Sequence, residues 1–111
     1  MLFRSGLIAL LAAPCLLGSE PSQAALRKEA KVTEAQARRA ALQRVPHGKI
    51  QSAELEQERG RLVWSFDIVR APSKDITEIQ VDARTGTVVS QQTETPAQQA
   101  SEARSEHAAT R

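Results

Sequence analysis

The sequence predicts an α+β fold in which one N-terminal helix packs on one face of an antiparallel four-stranded meander sheet, giving two layers. Two observations support this prediction. A helix-capping pattern begins at Thr33 and leads into a stripe of small apolar residues. Four short segments then follow in which apolar and polar residues alternate, with turn-forming residues between them. We therefore place the folded domain at residues 32–94.

The helix is predicted from its first residues. In Thr33-Glu34-Ala35-Gln36 the threonine hydroxyl can accept from the amide of Gln36, whose side chain can reach back to the backbone of Thr33. The apolar stripe that follows consists of Ala37, Ala40, Ala41 and Val45. Because these side chains are small, the helix can lie close to the layer beneath it. Pro46-His47-Gly48 is expected to end it.

The first two strands are predicted at 49–57 and 62–69, joined by a turn at Glu58-Arg59-Gly60-Arg61. With this turn the apolar residues of both strands share one face. The predicted pairs are Leu55 with Trp64, Ala53 with Phe66 and Gln51 with Ile68. We expect Trp64 to belong to the core.

A third strand is predicted at 76–82 and a fourth begins near Val88. The third strand can place Ile79 opposite Ile68 and Val81 opposite Phe66. The final turn, Ala83-Arg84-Thr85-Gly86, brings Val88 beside Val81. Asp82 can accept hydrogen bonds from amides two or three residues further on, and Gly86 can adopt a positive φ, so we expect this turn to have a structural role.

The N-terminus has the three parts of a secretory signal peptide: a basic residue at Arg4, an apolar run over 6–17, and small residues at positions −3 and −1 of a cleavage site after Ala24. We expect residues 1–24 to be cleaved and the protein to be exported, periplasmic or secreted. The apolar run is shorter than a membrane span, so we expect no stable membrane insertion after cleavage. Lipidation of Cys15 is the alternative.

Two segments outside the domain are expected to lack structure. Residues 25–31 are expected to be an N-terminal linker. Residues 95–111 contain no Val, Ile, Leu, Phe or Trp, so they can bury little apolar surface, and we expect a disordered polar tail.

The composition does not favour catalysis. With one Cys, two His and no Tyr among 111 residues, we expect no enzyme activity, no metal and no cofactor. His47 and His107 have no second ligand nearby, and Glu54, Glu56 and Glu58 on one strand are more typical of a solvated face than of a cation site. A formal charge of +2 is too small to indicate nucleic acid.

The surface is the remaining candidate for function. One helix covers only one face of the sheet, so the other face should expose the second-strand residues Val63, Ser65, Asp67 and Val69, which we predict to contact a protein partner. Self-association through this face is possible. The first strand could accept an extended peptide if it lies at an edge, unless Glu54 and Glu56 block such pairing.

The chain resembles the PepSY domain, which occurs in propeptides of thermolysin-type metallopeptidases and in many exported bacterial proteins. The resemblance covers about 60 residues: the helix led by Thr33, the strand Leu62-Val63-Trp64-Ser65-Phe66-Asp67-Ile68, and the stretch Val81-Asp82-Ala83-Arg84-Thr85-Gly86-Thr87-Val88. Asp82, Thr85 and Gly86 form the signature turn, which is the most distinctive element.

The resemblance implies a non-catalytic protein-binding module that modulates a peptidase or another envelope protein, by inhibiting it or assisting its folding. With no protease in these 111 residues, the action would be in trans. The alternative is an envelope sensory or ligand-binding accessory protein that reports to a membrane signalling partner.

Overall fold

The computed structural model describes residues 20–109, and side chains up to residue 104. Its elements are α1 (Gln23–Glu29), α2 (Glu34–Arg44), β1 (Lys49–Glu58), β2 (Arg61–Val69), β3 (Ile76–Asp82), β4 (Val88–Glu94) and α3 (Pro96–Ala109). The four strands form one antiparallel sheet in the order β1-β2-β3-β4. The predicted α+β meander is therefore confirmed. The predictions for residues 1–19, including lipidation of Cys15, and for the side chain of His107 lie outside the described residues.

Helix α2 begins as the sequence predicts. The Thr33 hydroxyl accepts from the Gln36 amide at 3.1 Å, and the Thr33 amide donates to Gln36 Oε1 at 2.9 Å. Ala37 and Ala41 are completely buried against the sheet. Two buried methyl groups one turn apart allow the helix to pack closely on the sheet.

The core lies between α1 and α2 and one face of the sheet. Its largest members come from the central strands: Leu62, Trp64, Phe66, Ile68, Ile79 and Val81, with Leu55 from β1. Trp64 is buried, as predicted, and its indole Nε1–H donates to the carbonyl of Val32 at 2.9 Å. The guanidinium of Arg27 lies 5.4 Å from the Trp64 ring centroid.

The predicted strand register is confirmed in part. Leu55 lies opposite Trp64 and Ala53 opposite Phe66, but a bulge places Ile50, not Gln51, opposite Ile68. The predicted pairing of the next two strands is wrong by two residues, because the observed pairs are Trp64 with Val81 and Phe66 with Ile79. A shift of two residues leaves each side chain on the same face, so alternation alone cannot distinguish the two registers. The predicted Val81–Val88 pair is observed.

The segment 25–31 is not the expected linker. Most of it belongs to α1, which is capped by the Ser22 hydroxyl and buries Leu26 in the core. The chain then runs against the final turn, where the amides of Lys31 and Val32 both donate to the carbonyl of Ala83 at 2.9 Å. A single leucine attaches this short helix to the core. Because its neighbours in the sequence are mostly polar, the segment shows no apolar periodicity that would predict a helix.

The tail also differs from the expectation of disorder, because α3 spans Pro96–Ala109. Thr95 begins it with a second capping box, in which its hydroxyl accepts from the Gln98 amide at 3.1 Å and its amide donates to Gln98 Oε1 at 2.8 Å. Proline at the first helical position and an Ala-rich composition favour the helix locally. No helix among residues 20–109 is long and apolar enough to cross a membrane.

Candidate protein-interaction surface

The face of the sheet opposite the core carries the four residues predicted to contact a partner. Val63, Ser65 and Asp67 are only 1%, 6% and 7% exposed, and Val69 is half-buried. The expectation that this face exposes all four residues is therefore wrong. Their strand is internal, with a strand paired on each side of it.

Cross-strand pairing shows which side chains flank this row. Val63 lies between Glu56 and Asp82, and Ser65 lies between Glu54 and Gln80. The same alternation places Asp67 between Ser52 and Glu78. The flanking positions are thus the outer part of this face, and most of them carry carboxylates.

We call this surface the acidic sheet face and define it by Glu54, Glu56, Glu58, Asp67 and Glu78. Glu54 is exposed, while Glu56, Glu58 and Glu78 are half-buried. The face lies away from α1 and α2, whose buried residues belong to the core cluster. It therefore places a group of carboxyl side chains on the side of the sheet opposite α1 and α2.

The carboxyls of the acidic sheet face interact with one another. Burial raises the pKa of Glu56 to about 8, and a hydrogen bond with Glu54 and the charges of Glu54, Glu58 and Glu78 add to the rise. One Glu56 carboxyl oxygen, Oε1, is buried without a hydrogen-bond partner. Glu78 Oε2 accepts from the Ser65 hydroxyl at 2.9 Å. A positively charged partner placed beside these carboxyls would favour their ionised forms.

The signature turn is held by Asp82. Its Oδ1 accepts from the amide of Arg84 at 2.7 Å and from that of Thr85 at 3.1 Å. The hydrogen bond from the backbone amide of Arg84 is the main cause that lowers the pKa of Asp82. The hydrogen bond from the Thr85 amide and the positive charge of Arg61 lower it further. Gly86 closes the turn with φ +84 and donates to the carbonyl of Asp82 at 2.9 Å. These are the contacts that the sequence predicts for this turn.

The outer edge of β1 holds a contact that the sequence analysis missed. The side-chain amide of Gln23 donates from Nε2 to the carbonyl of Leu55, and its Oε1 accepts from the Leu55 amide, both at 2.9 Å. Gln23 lies in the segment 1–24 that the sequence predicts to be a cleaved leader. No local signal identifies this contact, because it joins residues 32 positions apart.

Metal chemistry receives no support from the described part of the chain. Within residues 20–109 no group of three or more His, Cys, Asp or Glu side chains is arranged to hold a metal ion. His47 lies in the exposed turn after α2 with φ +66.

Comparison with known proteins gives one positive result. The family model described as "Peptidase propeptide and YPEB domain", or PepSY, matches residues 31–92, more than half of the chain. The match begins just before the cap of α2 and ends within β4. No curated protein and no solved structure matches the chain at a significant level.

Proposed function

Because the chain belongs to the PepSY family, we propose that it is a non-catalytic, exported protein-binding module that modulates a peptidase or another envelope protein in trans. The observation that carries this proposal is the family match, which spans α2, the first three strands and most of β4. Family membership indicates a regulatory module of the peptidase-propeptide kind. Action in trans, by inhibition or by assisting folding, is the finer part of the proposal.

The acidic sheet face is the surface that we assign to this contact. The predicted contact residues Val63, Ser65, Asp67 and Val69 lie on β2 on the same side of the sheet, but a partner would mainly meet the carboxylates that flank them. Glu54 is the most accessible of these. A partner with a basic patch would match this face in charge, and complementary charge favours both encounter and selectivity.

The experiment uses the exported chain immobilised on beads and a soluble envelope extract from the source cells. Retained proteins are identified by mass spectrometry, and each is then purified and titrated with the chain. For a peptidase, the hydrolysis of a peptide substrate is measured as a function of the chain's concentration. We expect a saturable change in the activity of at least one retained protein.

Two variants with the same charge change distinguish an effect of the acidic sheet face from a general effect of the net charge. Glu54→Lys reverses an exposed charge on the acidic sheet face, and Glu29→Lys reverses an exposed charge on α1. We expect Glu54→Lys to weaken binding by about tenfold or more and Glu29→Lys to leave it within about twofold. Equal losses in both variants would contradict the assignment of the face.

The alternative role, a sensory or ligand-binding accessory protein, predicts a different result. The exported chain would then retain no protein whose activity it changes, while a small molecule would raise its melting temperature in a saturable manner. That pair of outcomes would overturn the peptidase-modulating function.

A further inference from the structure

The outer edge of β1 is occupied by a group that imitates a neighbouring strand. β1 lies at the end of the sheet order, so within residues 20–109 no other strand pairs with its outer side. The primary amide of Gln23 supplies one donor and one acceptor to the backbone of Leu55, both at 2.9 Å. A peptide group of an added strand would make the same two hydrogen bonds.

The hairpin geometry explains why Leu55 offers both of its backbone groups to this side. Glu58 and Arg61 close the two-residue turn, and in an antiparallel pair the residues that bond to the partner strand alternate with those that do not. Counting back from Glu58, Leu55 is one of the residues that do not bond to the partner strand. The same alternation directs the backbone groups of Gln57 outwards, next to those of Leu55.

The position of Gln23 relative to the expected cleavage site is the decisive feature. Cleavage after Ala24 would remove Gln23 together with Ser22, the cap of α1. Leu26 would remain in the core and Arg27 over the Trp64 ring. The processed chain would therefore keep the attachment of this segment while the backbone groups of Leu55 lose their partner.

We propose that removal of the leader opens the β1 edge, and that the processed chain there binds an extended, basic segment of its partner protein as an added strand. This inference deepens the proposed function and rests on it, because it names the kind of segment that the module would bind. In the unprocessed chain Gln23 occupies the site and weakens this binding.

The charges beside the edge determine the occupant. Glu54, Glu56 and Glu58 line one face of β1, whereas Ala53 and Leu55 lie on the core side. An added strand would place every second side chain beside the glutamates and the others beside the apolar residues. A segment that alternates basic and apolar residues would place its basic side chains beside the glutamates and its apolar side chains beside Ala53 and Leu55. A second copy of β1 would instead bring two rows of glutamates together, which like-charge repulsion opposes.

The test compares three proteins: the full 111-residue chain purified without export, the same chain carrying Gln23→Met, and the exported chain with its N-terminus established by intact mass. The probe is the capped peptide Lys-Val-Lys-Val-Lys-Val-Lys. Its affinity is measured by calorimetry, and the exchange protection of the Leu55 amide is measured by NMR. Methionine keeps the length of glutamine but removes the amide N–H donor and the amide oxygen acceptor.

We expect the peptide to bind the Gln23→Met chain and the exported chain about tenfold or more tightly than the unprocessed parent, and to protect the Leu55 amide in both. A peptide N-methylated on the edge that faces β1 should fail to bind, as should the peptide with Glu in place of Lys. Equal affinity for the parent and the Gln23→Met chain would overturn the role of Gln23. An exported chain that still contains Gln23 would overturn the unmasking.

Failure of this inference is distinguishable from failure of the proposed function. If the N-methylated peptide binds as well as its parent, strand addition is wrong, yet retention of a partner that depends on Glu54 would still support the module's protein-binding role. If no partner is retained, the peptide result still decides whether the edge binds a basic strand.

Discussion

Replacing Glu56 by glutamine should stabilise the domain at alkaline pH and leave its stability nearly unchanged at acidic pH. Burial and neighbouring carboxyls raise the pKa of Glu56 from its ordinary 4.5 to about 8. A carboxyl whose pKa is higher in the folded state holds its proton there while the unfolded chain loses it. The contribution of Glu56 to the stability of the fold is therefore fully present below about pH 4.5 and is lost as the pH rises through about 8.

The magnitude follows from the extent of that rise and from the exposure of the group. The full difference in pKa would correspond to several kcal/mol, since each unit is worth about 1.4 kcal/mol. Glu56 is only half-buried, so water screens part of the effect, and we expect about 1–2 kcal/mol at pH 9. Glu56→Gln keeps the shape of the side chain and carries no charge at any pH.

Urea unfolding followed through the fluorescence of Trp64, the single tryptophan of the sequence, measures the free energy of unfolding at about pH 4 and about pH 9. Glu29→Gln, which neutralises an exposed carboxylate on α1, is the matched control and should change little at either pH. A Glu56→Gln variant that differs from the parent by the same amount at both pH values would refute the reasoning.

Substitutions at four further positions test local features by the same urea assay. Thr33→Ala removes the capping box of α2 and should cost about 1 kcal/mol. Gly48→Ala places a methyl group 2.6 Å from Ile68 Cγ2 and should cost up to about 3 kcal/mol, whereas Gly60→Ala, in open space at φ +77, should cost about 1 kcal/mol and be rescued by Gly60→Asn. Asp82→Asn should reduce the loss of stability between about pH 5 and about pH 2, because the lowered pKa of Asp82 stabilises the fold above its ordinary range and that contribution disappears on acidification.

The elements that the sequence predicts well are those fixed by neighbouring residues. The capping box at Thr33 involves residues three positions apart, and the hairpin at Arg59-Gly60 involves four consecutive ones. Both need only local geometry, so the residue types are sufficient evidence. The family turn at Asp82 belongs to the same class, since its hydrogen bonds span two and three residues.

The features that the sequence does not predict depend on distant residues. Alternation assigns Val63 to the correct face of the sheet, but its burial depends on the packing of the completed fold and not on its neighbours in the sequence. The register of β3 is ambiguous for a related reason, because two registers two residues apart preserve every face. Leu26 is a single apolar residue in a polar segment, and only the completed core shows that it fills a space there.

The raised pKa of Glu56 connects the stability of the acidic sheet face with binding. Basic side chains placed beside Glu56 would favour its ionised form and lower its pKa, so binding of a basic segment should release a proton near neutral pH. The affinity for such a segment should then rise with pH and level off above about pH 8. Calorimetry in two buffers of different ionisation enthalpy measures the released proton directly. The Glu56→Gln variant should show no release from this site and a flatter pH dependence. Lysine peptides stay charged between about pH 6 and about pH 8. If the affinity of the parent for them falls over this range, the partner does not contact Glu56.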